Sequence, residues 1–254
     1  MNPRNLLGYI KLVLGFTPNE VLGFRLIAFI AQRLAPNYKM TWPELAWFKD
    51  PTLSRTLEKF NEAKGFNAHR RLALQELVRL TLRVPGDTVE CGAYLGCGSH
   101  LILEACTRHN VPRTHHIFDS FEGLSTPTEI DGSYWKNNDL AAGEAIVRKN
   151  LNQYPNTRYY KGWIPSRFSE VGALRFSFVH VDVDLYQPTH DSISFFYDRL
   201  NHGAIFVCDD YGFNTCPGAT KAIDEFLETR PEKMIRLAGG GGFFIKGIET
   251  TREL

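Results

Sequence analysis

The chain is short of the features that mark several large classes of protein. It has only five cysteines, Cys91, Cys97, Cys106, Cys208 and Cys216, an odd number with no C-x-x-C pair, mostly inside apolar runs. That argues against a disulfide scaffold or a zinc site and leads us to expect a reduced, cytoplasmic protein. Cys91 and Cys97 read as small buried hydrophobes rather than as a metal clip. Charge of one sign is not in excess: 29 Lys and Arg face 28 Asp and Glu, a net charge of +1. No nucleic acid or anionic membrane is therefore expected as the main partner. Uncharged runs are short as well. Lys11 interrupts residues 8–16, and Arg25 and Gln32 interrupt 21–34. Neither run reaches the roughly 18–20 residues of a transmembrane span, and the first five residues show no signal-peptide pattern. The phosphate-loop motif G-x-x-x-x-G-K-[ST] is absent.

What is present is an ordinary apolar fraction, 43%, with 22% charged residues over 254 positions. This suits one α/β domain with an added segment. Residues 1–80 read as a helical extension, for oligomerisation or as a lid. Leu26, Ile27, Phe29, Ile30 and Leu34 could share one face, while Pro18, Pro36, Pro43 and Pro51 forbid one long helix. From Val84 onward apolar runs alternate with helical spacing. Strands are predicted over 88–91, 116–118, 157–161, 176–183, 203–208, 234–237 and 242–246. Helices are predicted over 99–107, 139–151, 189–200 and 219–227. The alternation predicts an α/β domain over 81–254, a mostly parallel sheet flanked by helices. Ligands of such sheets bind at the carboxyl ends of the strands. Those ends carry Glu90, Asp119, Gly162-Trp163, Asp182 with Asp184, and Asp209 with Asp210. The run 239–242 reads as a hairpin turn between the last two strands.

The first strand ends in Gly92-x3-Gly96-x-Gly98, a spacing that does not match the dinucleotide fingerprint. Glycine allows the tight turn and close approach of a ligand, and Ser99 is placed to N-cap the next helix. A nucleoside without pyrophosphate, such as S-adenosylmethionine, fits this turn. Glu90 could face its positive end, and Asp119 could accept bonds from ribose hydroxyls.

Asp182 and Asp184 alternate with Val181 and Val183, so a strand would point both to one face. Asp209 and Asp210 end the following strand. If the two strands are neighbours, three or four carboxylates converge and raise one another's pKa. Arg or Lys could pair with them, or a hard cation such as Mg2+ or Mn2+ could bind. A cation would lower the pKa of a hydroxyl and orient it, and a carboxylate or histidine would take the proton. His180 shares the face of Asp182 and reads first as a packed histidine, second as a base.

Several segments together resemble one family. They are Val89-Glu90-Cys91-Gly92 with Gly96, Asp119-Ser120-Phe121-Glu122-Gly123-Leu124, Lys161-Gly162-Trp163, Asp182-Val183-Asp184-Leu185-Tyr186, and Asp209-Asp210-Tyr211-Gly212. Over about residues 84–247 the chain resembles the macrocin O-methyltransferase (TylF-type) family of sugar O-methyltransferases. The resemblance implies a class I methyltransferase, Rossmann-like fold with a seven-stranded sheet, using S-adenosylmethionine and Mg2+ (or Mn2+). Carried over by position, Asp182, Asp209 and Asp210 would hold the metal. Asp184 would be the general base, with Asp182 beside it in the catalytic set. Glu90, Gly92, Tyr94, Gly96, Ser99, Asp119, Ser120, Phe121, Gly162, Trp163 and Asp182 would form the cofactor site. Residues 119–136 would cover cofactor or substrate.

The acceptor implied is a sugar or glycosylated small molecule. Family members usually carry Asp-Thr-Leu where this chain has Ser166-Arg167-Phe168. The loop 125–138 and the N-terminal third show no match, so a glycan, a lipid-linked sugar and a nucleotide sugar all stay open. Trp135, Tyr134 and Trp163 suit either a sugar ring or ordinary packing. A homo-oligomer is expected. Rival readings are a nicotinamide oxidoreductase, opposed by the glycine spacing and the lack of a Tyr-x-x-x-Lys pair, and a catechol-type phenol methyltransferase. A third is a non-catalytic nucleoside-binding module, opposed by the four aspartates.

Overall fold

The computed structural model describes residues 20–42 and 45–251. The chain divides into two compact units, Met1–Thr56 and Leu57–Leu254. The first contains helix α1 (Glu20–Leu34), a 3-10 turn (Ala46–Lys49) and the start of α2 (Pro51–Lys59). Ile27, Phe29, Ile30 and Leu34, the face expected to be apolar, are exposed. The run 8–16 lies outside the described residues. Among those described, no helix is long and apolar enough to cross a membrane.

The second unit is built on seven strands: β1 (Asp87–Cys91), β2 (His115–Asp119), β3 (Thr157–Lys161), β4 (Phe176–Val181), β5 (Leu200–Cys208), β6 (Ile235–Arg236) and β7 (Gly242–Ile245). Their order is β3-β2-β1-β4-β5-β7-β6. The first five run parallel and β7 lies antiparallel to β5 and β6. This is the sheet the alternation predicts. The chain winds outward from β1 through β2 to β3, then returns to β4 on the other side of β1. The crevice between the carboxyl ends of β1 and β4 is therefore the switch point where such sheets bind ligands.

Alternation divides the core. Val89, Cys91, Phe176, Val179, Val181 and Phe206 face one side, with Ile193 and Phe196 of α6 (Tyr186–Phe196) and Ala219 and Ile223 of α7 (Pro217–Leu227). Ile117, Phe178, Ile205 and Val207 face the other, with Leu74 and Val78 of α3 (Ala68–Leu80) and Leu101 and Ile102 of α4 (Cys97–Arg108). Each fully buried Phe or Leu side chain contributes about 1.5–3 kcal/mol. All five cysteines are buried and free, as their apolar settings suggest. The pattern change places a boundary near residue 80, whereas the compact division falls after Thr56. The difference is α3, whose apolar face shares one core cluster with Ile117 and Phe178.

Four details of the sequence reading are corrected. Ser99 does not cap α4: the helix starts at Cys97 after left-handed Gly96 (φ 91°), and Ser99 lies buried inside it. Strand β4 ends at Val181 rather than Val183, level with the ends of β1 and β5. Asp182 and Asp184 are thus loop residues, and Asp184 has φ 61°, so strand alternation does not govern them. The helix expected from 139 is α5, Glu144–Asn150 alone, preceded by Leu140 at φ 60°. Helix α6 begins at Tyr186, three residues early, with Pro188 tolerated in its first turn.

Candidate active site

A cavity of ≈ 470 Å³ opens at the carboxyl ends of β1, β2 and β4. Gly92, Tyr94, Asp119, Ser120, Trp163, Asp182, Asp184 and Asp210 all line it. Glu90, Gly96, Ser99, Phe121, Gly162 and Asp209 do not contribute to its wall. A Cβ on Gly92 (φ 81°) would collide with the Asp182 carbonyl, so only glycine lets β1 turn this close to β4.

Asp119 ends β2 and organises the turn. One carboxylate oxygen accepts the N–H groups of Ala93 (2.6 Å) and Tyr94 (3.3 Å), the other that of Phe121 (2.6 Å). Tyr94 and Phe121 both have left-handed backbones, φ 47° and 56°, which these bonds hold in place. Burial pushes the Asp119 carboxyl up, and the three N–H donors pull it back. The next residues close tightly: Ser120 Oγ donates to the Gly123 carbonyl and accepts from Glu122 N–H.

Glu90 sits behind the cavity, 1% exposed. The β1–β4 register sets it beside His180, and its carboxylate takes His180 Nδ1 (2.8 Å) and the Ser99 hydroxyl. His180 Nε2 lies 3.6 Å from Asp209 Oδ1. Burial alone would lower the His180 pKa, but Asp209 and Glu90 raise it to about 9. The histidine is therefore packed between two carboxylates that favour its charged form.

The four aspartates do converge, because β4 and β5 are neighbours. Asp210 Oδ2 accepts the N–H groups of Val183 (3.1 Å) and Asp184 (2.8 Å), fixing the turn that carries Asp184. Burial, then Asp209, pushes the Asp182 carboxyl up to about 7. Burial pushes Asp184 up to about 6 despite the Cys216 thiol, 3.5 Å from its Oδ1. Asp210 is raised well above the usual range by burial and then by Asp184 and Asp182. Asp209 alone goes down: burial opposes this, but the Arg70 guanidinium, His180 and Arg71 together outweigh it. Donor atoms gather as two sets, His180 with Asp182 and Asp209, and Asp184 with Asp210 and Cys216.

The sequence reading missed the cations. Arg70 and Arg71 enter the cluster from α3. Arg70 pairs with Asp209; Arg71, held by Glu62 through Nε (3.0 Å) and Nη2 (2.9 Å), places Nη1 3.6 Å from Asp182. Arg71 Nη1 and His180 Nε2 are buried without a hydrogen-bond partner among the described residues. The only hint was the surplus of carboxylates, for which basic partners were one of two remedies. Asp131 was missed too, although Thr128-x-x-Asp131 has capping-box spacing. Asp131 Oδ2 accepts Thr128 N–H and Oγ1–H (both 2.8 Å), and Oδ1 accepts Tyr186 N–H (2.6 Å), tying loop 125–138 to the start of α6. Trp135 also lines the cavity and donates to Cys216 Sγ (3.3 Å); Tyr134 is exposed and packs edge-on against Trp135.

Comparison with known proteins gives consistent matches. The profile of the macrocin O-methyltransferase (TylF) family matches residues 64–244. Demethyldecarbamoylnovobiocin O-methyltransferase of Streptomyces niveus is 28% identical over 189 residues, 65% of this chain and 71% of that protein. An 8-demethyl-8-(2,3-dimethoxy-alpha-L-rhamnosyl)-tetracenomycin-C 4'-O-methyltransferase of Streptomyces olivaceus is 29% identical over 149 residues, 54% of this chain and 57% of that protein. The crystal structure of the calicheamicin methyltransferase CalS11 superimposes with a TM-score of 0.65 at 18% identity, covering 87% of this chain and 91% of that one. It shares the fold.

Proposed function

The chain belongs to the macrocin O-methyltransferase family, and on that premise we propose that it transfers the methyl group of S-adenosylmethionine to a hydroxyl of a sugar or glycosylated small molecule, with a divalent cation. One observation carries the reading. The carboxylates of Asp182, Asp184 and Asp210 line the same cavity as the Gly92 turn and Asp119.

The residues suit each part of the reaction. Asp119 offers its remaining lone pairs to ribose hydroxyls, and Gly92 lets the ligand approach the backbone. Asp184, with a carboxyl pushed up to about 6, is matched to take a hydroxyl proton near neutral pH. When bound, S-adenosylmethionine would supply the methyl group, and Asp184 would take the proton that the acceptor hydroxyl gives up. Trp135 and Trp163 border the same cavity and offer apolar faces to a sugar ring. The rhamnosyl group in the name of one relative supports a sugar acceptor.

The cluster fits a hard cation. Its carboxylates are oxygen donors, and burial together with their mutual repulsion raises three of them. Asp182, Asp209 and Asp210 would hold Mg2+ or Mn2+; when bound, such a cation supplies Lewis acidity to the acceptor hydroxyl.

Calorimetric titration with S-adenosylhomocysteine tests the cofactor site. Asp119→Ala should lose binding and Asp209→Asn should keep it, while EDTA should stop methyl transfer to a responsive sugar acceptor. A folded wild-type chain that binds no S-adenosylhomocysteine would overturn the reading.

A further inference from the structure

We propose that Arg70 occupies Asp209 in place of the divalent cation and has to withdraw before the cation binds; this rests on the metal reading above. The guanidinium is seated on three sides. Its Nη1 donates to Asp209 Oδ2 and lies 3.4 Å from the Asp209 carbonyl. Its Nη2 donates to Asn67 Oδ1 at 2.7 Å, and its plane lies over the Phe213 ring, 5.1 Å from the centroid.

The second oxygen of Asp209 faces His180 Nε2 at 3.6 Å. Asp209 Oδ2 is already taken by a guanidinium, and a divalent ion brought to it meets like charge. The donor atoms follow suit: Asp209 groups with Asp182 and His180, Asp210 with Asp184 and Cys216. Asp182, Asp209 and Asp210 do not form one such set, and Arg70 stands on Asp209.

Arg71 cannot play the same part. Glu62 grips it through two nitrogens, and its side chain is 9% exposed. Arg70 is 17% exposed and lines the cavity, so it has somewhere to go. Its neighbours Asn67 and Arg71 share that wall, so withdrawal of Arg70 would alter the cavity itself.

Occupation by Arg70 lowers the apparent cation affinity by the fraction of molecules in which Asp209 is free. The test is titration of the full-length chain with Mn2+, reading free Mn2+ by electron paramagnetic resonance, with no substrate present. Arg70→Gln should bind Mn2+ about tenfold more tightly than wild type if Arg70 blocks the site nine-tenths of the time. Arg70→Lys, which keeps the charge but loses the planar fork, should fall between them and serves if Arg70→Gln folds poorly. Adding Asp209→Asn to either variant should cancel the gain. Equal or weaker binding by both Arg70 variants would overturn the exchange and leave the metal reading intact. No Mn2+ binding by any of the proteins would overturn both.

Discussion

Asp184 holds a backbone conformation (φ 61°) that costs a residue with a Cβ about 1–2 kcal/mol. It persists because Asp210 accepts both the Val183 and Asp184 N–H groups and Leu185 N–H bonds back to the Val183 carbonyl. That turn swings the carboxylate into the cavity. Asp184→Asn should lower kcat by about 10²–10⁴-fold while leaving S-adenosylhomocysteine affinity unchanged, the usual size of a lost general base. An undiminished kcat would assign the proton to another group. The carboxylates gathered at four strand ends were legible in the sequence. Their orientations were not. Glu90 and Ser99 belong to the glycine-turn segment, yet register and helix start turn them to each other behind the wall.

At the scale of elements, three pieces converge on the cavity: α3 from before the sheet, the β4–α6 turn, and loop 125–138. The loop is pinned at both ends of its span. Asn138 N–H donates to the Leu124 carbonyl and Leu124 N–H to that of Asp139, and Asp131 accepts the Tyr186 N–H at the start of α6. Asp131→Ala frees the Tyr186 N–H and releases the loop. We expect a raised acceptor KM with cofactor affinity retained, read by steady-state kinetics beside calorimetry; an unchanged KM would show that the loop does not touch the acceptor. Strands were legible because apolar runs ending in Gly or Asp are strong signals, and β3 matches its prediction from Thr157 to Lys161. Helix starts were misplaced by two to five residues: α4 begins two residues early, straight after left-handed Gly96, and α5 five residues late, after Gly143. The role of α3 was hidden, since no local pattern says which side of a sheet a preceding helix will cover.

For the whole molecule, the buried His180–Glu90–Asp209 arrangement links charge to stability. The His180 pKa rises from 6.5 to about 9 on folding. A raised cationic group contributes stability that is complete below 6.5 and is lost as the pH climbs through about 9. With EDTA present, the melting temperature should therefore fall between pH 6.5 and pH 9, and His180→Gln should lose that slope; equal slopes in both proteins would remove the imidazolium from the account.

The sequence by itself determined the α/β class, the parallel sheet, the strand ends that carry the acids, and the resemblance that the family match upholds. These follow from periodicity and from residues adjacent in the chain. Only the tertiary structure decided which carboxylates face the cavity, which are locked behind it, and that two arginines from α3 already neutralise part of the cluster. Those outcomes depend on strand register, on left-handed turns and on contacts across as many as 139 positions, and such distances leave no mark in a local pattern.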